Sequence, residues 1–422
     1  MQAAVRTTLW TGVEERLVLS AIFLLALLVR LVVVGGTIGF HTSALAEGTS
    51  DSRIHIALVQ SLLNGRGYSL DGPTAITPPL YILFLASLYR LFDGPAAVRL
   101  VQIVLGAAGC VVLYAIGRRV FDQTTGLLAA GLLSLNPLVV YLAGLHLTES
   151  LFLFLVLLLI WQSLRVADQP TAIQAVGLGG LLGLAMLVRA IFVAFLPFVF
   201  VWAVSVWGIR TSHAYRVFAV ALVSAMVVIM PWTVRNYLVL GAVVPVQSNG
   251  GMVFWASNNP RSDGGIVLPT RETWTATRPP DDNMYGWRDL TPTEENRLYV
   301  RTALSWIREH PRDYMRLLVR KFLRLYGFTR AAEGQEVIVP AAVQVFHAGF
   351  LAAALAGLLL TIRRWRTLAL LLVLIVFTNL TTLLFGGATR YTIPMIPSLA
   401  LLAATALVTG WHGAAGTMGG AR

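Results

Sequence analysis

The sequence predicts an all-α protein that crosses a membrane many times, and three observations carry that prediction. Of 422 residues, 57% are hydrophobic and only 12% charged, whereas water-soluble domains run to about a quarter charged. Mean hydropathy is +0.73. Apolar runs near the length that spans a bilayer recur at 17–36, 97–117, 124–143, 149–166, 173–189, 191–208, 216–234, 339–362, 367–386 and 391–411. At about 1.5 Å per helical residue they make about ten transmembrane helices, interrupted least clearly at Arg189. Length alone would suggest two or three soluble domains, but that expectation lapses when the solvent is lipid.

The first run ends without a small-residue cleavage pattern, so it reads as a span and not as a removed leader. In the loop after it, "EGTSDSRIHIALVQSLLNGRGYS" (47–69) reads as a short amphipathic helix. Ser50 is its expected cap and Asn64-Gly65 its stop. Ile54, Leu58 and Leu62 face apolar surroundings at helical spacing. Pro78-Pro79 then starts a second helix running to Phe92. That helix is about 14 residues, or about 21 Å, too short to cross, and reads as interfacial or re-entrant. Residues 236–337 are the only stretch with ordinary soluble composition. They open on turn-rich "SNGGMVFWASNNPRSDGG" and close on one Arg-rich amphipathic helix near 293–327. The acids at 281–282 read as a solvated loop.

Charge sets the orientation. With Arg6 and Arg16 inside, Arg118-Arg119, Arg165, Arg210 with Arg216, and Arg363-Arg364-Arg366 all fall inside too. Residues 37–96 and 236–337 are then outside. The chain divides into a transmembrane catalytic module (1–235), an outer segment (236–337) and C-terminal membrane helices (338–422). Of the 32 basic residues only Lys321 is lysine, a skew that fits a GC-rich bacterial genome. The net charge of +12 comes without a basic tail, so it points to lipid phosphate and the positive-inside bias and away from nucleic acid. One cysteine, Cys110, excludes an intramolecular disulfide or a cysteine metal cluster.

An ionisable group at membrane depth costs roughly 2.5–3.5 kcal/mol, so each should earn its place facing the protein interior. Asp51, His146, Glu149, Arg189, Arg235 with Asn236, and Arg390 with Tyr391 all fall at outer helix ends in this topology. Plainer readings exist for each. Arg30 would snorkel, Glu149 would favour a helix dipole after Thr148, and Arg235 and Arg390 would anchor at headgroups. Asp51 would sit in a first turn, and His55 and His146 would be ordinary core histidines. Their gathering at one rim favours chemistry instead. A carboxylate ringed by arginines suits reaction at a lipid phosphate, with arginine binding the leaving phosphate and the carboxylate taking a proton. No P-loop, dinucleotide fingerprint, H-E-x-x-H or paired-cysteine motif is present, so nothing points to a nucleotide, a tightly bound metal or another cofactor, and one acid with serine neighbours neither demands nor forbids a divalent cation.

The order of these signals resembles the GT-C membrane glycosyltransferases, the group with the protein O-mannosyltransferases and the bacterial aminoarabinose transferases. The resemblance runs over nearly the whole chain. It includes the first-loop acid, "PPLYILFLASLYRLF", "TESLFLFLVLLL", "GLGGLLGLAMLVRA", "PWTVRNYLVLGAVVPVQSNGG" and "RYTIPMIPSLALL". It implies inverting transfer of a sugar from a polyprenyl-phosphate donor to a lipid, glycan or protein acceptor on the outer face of the plasma membrane. Asp51 would be the catalytic base. Arg189, Arg390, Tyr391, Glu149, Arg53, Arg235 and Asn236 would bind or orient the donor phosphate and substrate. Two departures stand out: Thr77 occupies the place of a lysine before the Pro-Pro pair, and Asp51 has serine neighbours where a second acid is usual. The rival classes are a glycan ligase or polymerase, which would join whole glycans, and a transporter or flippase, which would move substrate without cleaving a bond.

Overall fold

The computed structural model describes residues 12–47, 49–92, 94–267, 291–328 and 341–419. Helix α1, Gly12–Thr37, buries Ile22, Ala26, Arg30 and Val34, one residue per turn, and leaves Leu17, Leu24, Leu28 and Val32 exposed. A single stripe packed inward with apolar residues elsewhere is the pattern of a helix in lipid. After α2 (Ser50–Leu63) and α3 (Pro79–Phe92) of the first loop come α4 (Pro95–Val120) and α5 (Gln123–Ser134), which pack on α1; α7 (Glu149–Asp168) packs on α4, and α8 (Ala172–Val188) on α7. The short α6 is Pro137–Leu142. Helices α9 (Leu196–Trp207) and α10 (Ser212–Leu240) complete the first half. The second half holds α11 (Gly250–Ala256), α12 (Pro292–Glu309), α13 (Pro311–Leu325), α14 (Ala341–Thr361), α15 (Ala369–Phe385) and α16 (Ile396–Gly419). Among the described residues there is no strand, only an isolated bridge between Ser69 and Pro73.

Seven of the described helices are long and apolar enough to cross a membrane; Pro79–Phe92, Ala172–Val188 and Ala369–Phe385 are apolar but shorter. The expected helix from Pro79 to Phe92 forms over those residues.

Four local expectations are corrected. The run 124–143 is not one helix: Pro137 has no N–H to continue the ladder, Asn136 turns extended (ψ 112°), and its side chain caps α6 by accepting from Val139 N at 3.2 Å. The Arg-rich stretch 293–327 is likewise two helices, broken at His310 (φ −126°, ψ 56°), because a residue before proline avoids the helical region. Inside the turn-rich 248–265, α11 forms. The cap of α2 is Thr49, which accepts from Ser52 N at 3.1 Å, one residue before the serine expected.

Arg30 does not snorkel. It is fully buried and donates to the Leu133 and Ser134 carbonyls, each at 3.4 Å, at the C-terminus of α5. Those carbonyls stand at the negative end of a helix that stops at Ser134, where a cation is favoured. Gly106 of α4 makes the room, since a Cβ there would lie 2.6 Å from Arg30 Nε.

Ion pairs mark one end of the bundle. Arg118 pairs with Glu15 and Arg119 with Asp168, joining the start of α1 to the ends of α4 and α7. Helix direction carries Arg210, Arg216 and Arg363 to Arg366 to that same end. The other end holds α2, α3, the start of α7, the end of α15 and α11 to α13.

Candidate active site

At that second end, residues from four parts of the chain converge. Asp51 lies in the first turn of α2, and its Oδ2 accepts from Arg390 Nη2 at 2.6 Å, across 339 positions of sequence. Arg390 sits on a 3₁₀ segment, Thr389–Met395, that leads into α16. Glu149, at the start of α7 and buried, accepts from Arg189 Nη2 at 2.5 Å and lies 4.0 Å from Arg390 Nε. Arg189 also donates to Thr148 Oγ1 at 2.9 Å. The Tyr391 ring stacks beside both guanidiniums, 5.4 Å from Arg390 and 5.8 Å from Arg189. Two acids and two arginines therefore alternate in an open ring, Asp51 to Arg390 to Glu149 to Arg189, with no ion pair between Arg189 and Asp51. Both arginines keep Nη1 without a hydrogen bond to any described residue, and both are half-buried.

The ring lies in a cavity of about 620 Å³, within the 300–1,000 Å³ range roughly typical of small-molecule sites. Beyond the charges its walls are apolar, with Phe152, Val188, Ile191, Val193, Phe377 and Phe385 among them. A cavity that is charged in one place and apolar elsewhere suits an amphiphile with an anionic head. Burial works to raise the Asp51 carboxyl, but Arg390 and the other nearby cations outweigh it and hold the group below the usual carboxylate range.

Behind the ring lies a buried network that sequence reasoning missed. Glu47 accepts from Arg99 Nη2 at 2.7 Å, Ser52 Oγ at 2.8 Å and His146 N at 2.8 Å, and lies 2.6 Å from His146 Nδ1. Arg99 also donates to the Phe40 and Gly144 carbonyls at 2.7 and 2.8 Å. The signal was present: Glu47 is a second acid of the first loop, and Arg99 interrupts an apolar run. His55 faces the cavity, with Nδ1 2.9 Å from the His146 carbonyl.

Three sequence-predicted residues are not brought to the cavity. Arg53 is exposed, because two positions along a helix turn it away from the face of Asp51. Arg235 donates to the Tyr68 and Thr74 carbonyls at 2.9 and 2.7 Å, and Asn236 to the Val244 carbonyl at 2.9 Å. Arg235 braces the first loop against α10, and Asn236 ties down the chain that follows α10. Asp51, Arg189, Arg390, Tyr391 and Glu149 do come together. Among the described residues, no three His, Cys, Asp or Glu side chains cluster as a metal would require. The acids at 281–282 lie outside the described residues.

The segment between α10 and α14 holds the arm that carries Arg390. Lys321 of α13 donates to Asn258 Oδ1 at 2.7 Å and to the Leu383 carbonyl at 2.9 Å. Asn258 and Ser257 donate in turn to the Leu384 and Phe385 carbonyls, both at 2.8 Å. The end of α15 is thus capped by side chains from elsewhere. Gly386 then turns with φ +91°, a conformation glycine takes freely. Gly387 N donates to the Gly264 carbonyl at 2.7 Å, and Arg324, paired with Asp263 at 2.6 Å, donates to the Gly387 carbonyl.

A family model described as dolichyl-phosphate-mannose-protein mannosyltransferase matches residues 77–234. No curated protein matches the chain in sequence. Among solved structures, the Archaeoglobus fulgidus oligosaccharyltransferase tethered to an acceptor peptide overlays with a TM-score of 0.57 at 13% identity, over 94% of this chain and 50% of that one. The oligosaccharyltransferase AglB of the same organism, in complex with an inhibitory peptide and a dolichol-phosphate, gives 0.53 at 13% identity, over 94% and 51%. ArnT from Cupriavidus metallidurans, bound to undecaprenyl phosphate, gives 0.42 at 16% identity, over 94% and 78%. The chain spans about half the length of the oligosaccharyltransferases it matches. At these identities the likeness is one of fold.

Proposed function

We propose that this chain, which has the GT-C fold of membrane glycosyltransferases, moves a sugar from a polyprenyl-phosphate donor to an acceptor hydroxyl at the outer face of the plasma membrane. The observation that carries the proposal is the ring of Asp51, Arg390, Glu149 and Arg189 set in an otherwise apolar cavity. Arg189 and Arg390 receive the donor phosphate on their unused nitrogens, beside Tyr391. Guanidinium suits this because it stays charged and binds two phosphate oxygens at once. Glu149 keeps the two arginines apart and aimed. The apolar walls take the first isoprene units.

The acceptor oxygen attacks the anomeric carbon from the side opposite the phosphate. The carbon–oxygen bond to phosphate breaks, its electron pair leaves on the phosphate, and the acceptor proton passes to Asp51. The arginines stabilise the charge that grows on the leaving group. Inversion at the anomeric carbon follows from a single displacement. The outward orientation rests on the basic residues collected at the opposite end. Residues 1–235 supply Asp51, Glu149 and Arg189, the C-terminal membrane helices supply Arg390 and Tyr391, and the outer segment adjoins the site where an acceptor approaches.

Incubating the purified chain with polyprenyl-phosphate sugars and acceptor membranes tests the proposal. The expected result is release of polyprenyl phosphate with sugar on the acceptor. Asp51→Asn should abolish release, lowering turnover by about 10²-fold or more, while the protein still inserts and folds. Normal turnover by that variant removes the role of Asp51. Movement of intact donor into liposomes without bond cleavage would make the chain a carrier and not a transferase.

A further inference from the structure

Asp51 is a weak base, and its Oδ2 is already engaged by Arg390 at 2.6 Å. A proton that reaches it needs somewhere to go. We infer that His55 Nε2 is that destination: the proton taken from the acceptor passes from Asp51 to His55. The inference rests on the transferase reading and deepens it.

Geometry supplies the argument. The Nδ1 atom of His55 lies 2.9 Å from the His146 carbonyl oxygen. A carbonyl only accepts, so Nδ1 carries the hydrogen, and in the neutral ring Nε2 is left as a bare acceptor. The ring lines the cavity, and Nε2 has no hydrogen-bond partner among the described residues. Asp51 lies one helical turn earlier, so the two side chains share a face of α2.

The carbonyl that fixes this tautomer is itself fixed. The peptide N–H of His146 donates to Glu47 Oε2 at 2.8 Å and its ring nitrogen lies 2.6 Å from Oε1. Glu47 is in turn locked by Arg99 and Ser52. Tyr81 packs edge-on against the His55 ring with centroids 5.2 Å apart. A charged network with no exposed side-chain surface on Glu47, Arg99 or His146 therefore ends on one imidazole at the cavity wall. Its effect is to hold that imidazole in one orientation and one tautomer.

The surrounding charges suit transient protonation. Burial disfavours the imidazolium and keeps the ring neutral at rest, holding its titration below the ordinary histidine value. Asp51 and Glu149 favour the charged form once it arises, while Arg390 opposes it. Tyr81 is the other titratable side chain packed on the ring, and His146 meets it through its carbonyl. Atoms and charge balance over the cycle. The acceptor oxygen gains the sugar and loses its proton. That proton moves from Asp51 to His55 Nε2 and leaves to water or to the departing phosphate.

His55→Asn is the informative variant, because its side-chain amide keeps the donor to the His146 carbonyl and removes the base. Polyprenyl phosphate release is measured from pH 4.5 to 8.5 in wild type and variant, full-length in lipid nanodiscs. In the wild type kcat falls on the acid side as His55 protonates at rest. In the variant kcat drops about tenfold or more, that acid limb is lost, donor KM is unchanged, and added imidazole restores part of the rate. A variant that keeps the wild-type profile, or loses activity only through KM, overturns the role of His55 and leaves the transferase standing. Absence of release by the wild type overturns both. Nitrogen-15 spectra of labelled histidine, with the His55 signal found by difference from the variant, read the tautomer without turnover. A hydrogen on Nε2 in the neutral ring overturns the inference whatever the activity.

Discussion

Glu47 and Asp51 lie four positions apart in one loop and do opposite jobs. Asp51 faces the cavity, half-exposed, and among the described residues is paired with Arg390 alone. Glu47 is sealed, its four bonds all given to Arg99, His146 and Ser52. The cost of charge in a membrane protein made Asp51, Glu149, Arg189 and Arg390 legible, because each stands at the end of an apolar run. Arg99 hid inside a run and Glu47 hid beside Asp51, and only the fold shows that they meet. Arg53 stands two positions from Asp51, where helical geometry turns it outward. Glu47→Gln should therefore unpair a buried guanidinium, which costs about 3–5 kcal/mol. The expected outcome is a clear fall in the unfolding midpoint in detergent. An unchanged midpoint would mean that the Glu47–Arg99 pair does not hold the first loop.

Helix ends, more than helix middles, build the site. The breaks at Pro137 and Pro311, and the side chains that cap what they leave open, fell below what apolar run length reports. A run of 20 apolar residues looks the same whether or not one peptide in it turns. The cap on α15 is the consequential case. Lys321, the sole lysine, stands 62 residues from the Leu383 carbonyl it binds and 63 from Asn258. No local pattern announces a contact of that kind. Lys321→Met keeps the length and the burial but leaves Asn258 Oδ1 and the Leu383 carbonyl unpaired, at about 1–3 kcal/mol each. The amide of Gly387, now bonded to the Gly264 carbonyl, should then exchange hydrogen faster while amides within α4 and α7 keep their rates. Because Arg390 follows three residues later, donor affinity should fall in the same variant. Unaltered exchange at Gly387 would show that the segment between α10 and α14 does not hold the Arg390 arm.

Over the whole molecule, the charge pattern predicted two unlike ends, and the fold has them. Arg118 with Glu15 and Arg119 with Asp168 close one end; Asp51 with Arg390 and Glu149 with Arg189 form the other. Every helix that leaves the basic end arrives at the site end, so a single assignment orients them all. The span count was less legible, since α8 and α15 are 17 residues each, near the lower limit for crossing. Which end meets the cytoplasm is a property of the inserted chain, and it is open to a direct measurement. The only native thiol, Cys110, is buried, so new cysteines report without background. Arg53 at the site end is exposed and outside the cavity, and Arg210 at the basic end is exposed as well. In cells with accessible plasma membranes, Arg53→Cys should react with an impermeant maleimide and Arg210→Cys should react only after permeabilisation. The reverse pattern would put the cavity in the cytoplasm, where a donor carried on the outer leaflet never reaches it.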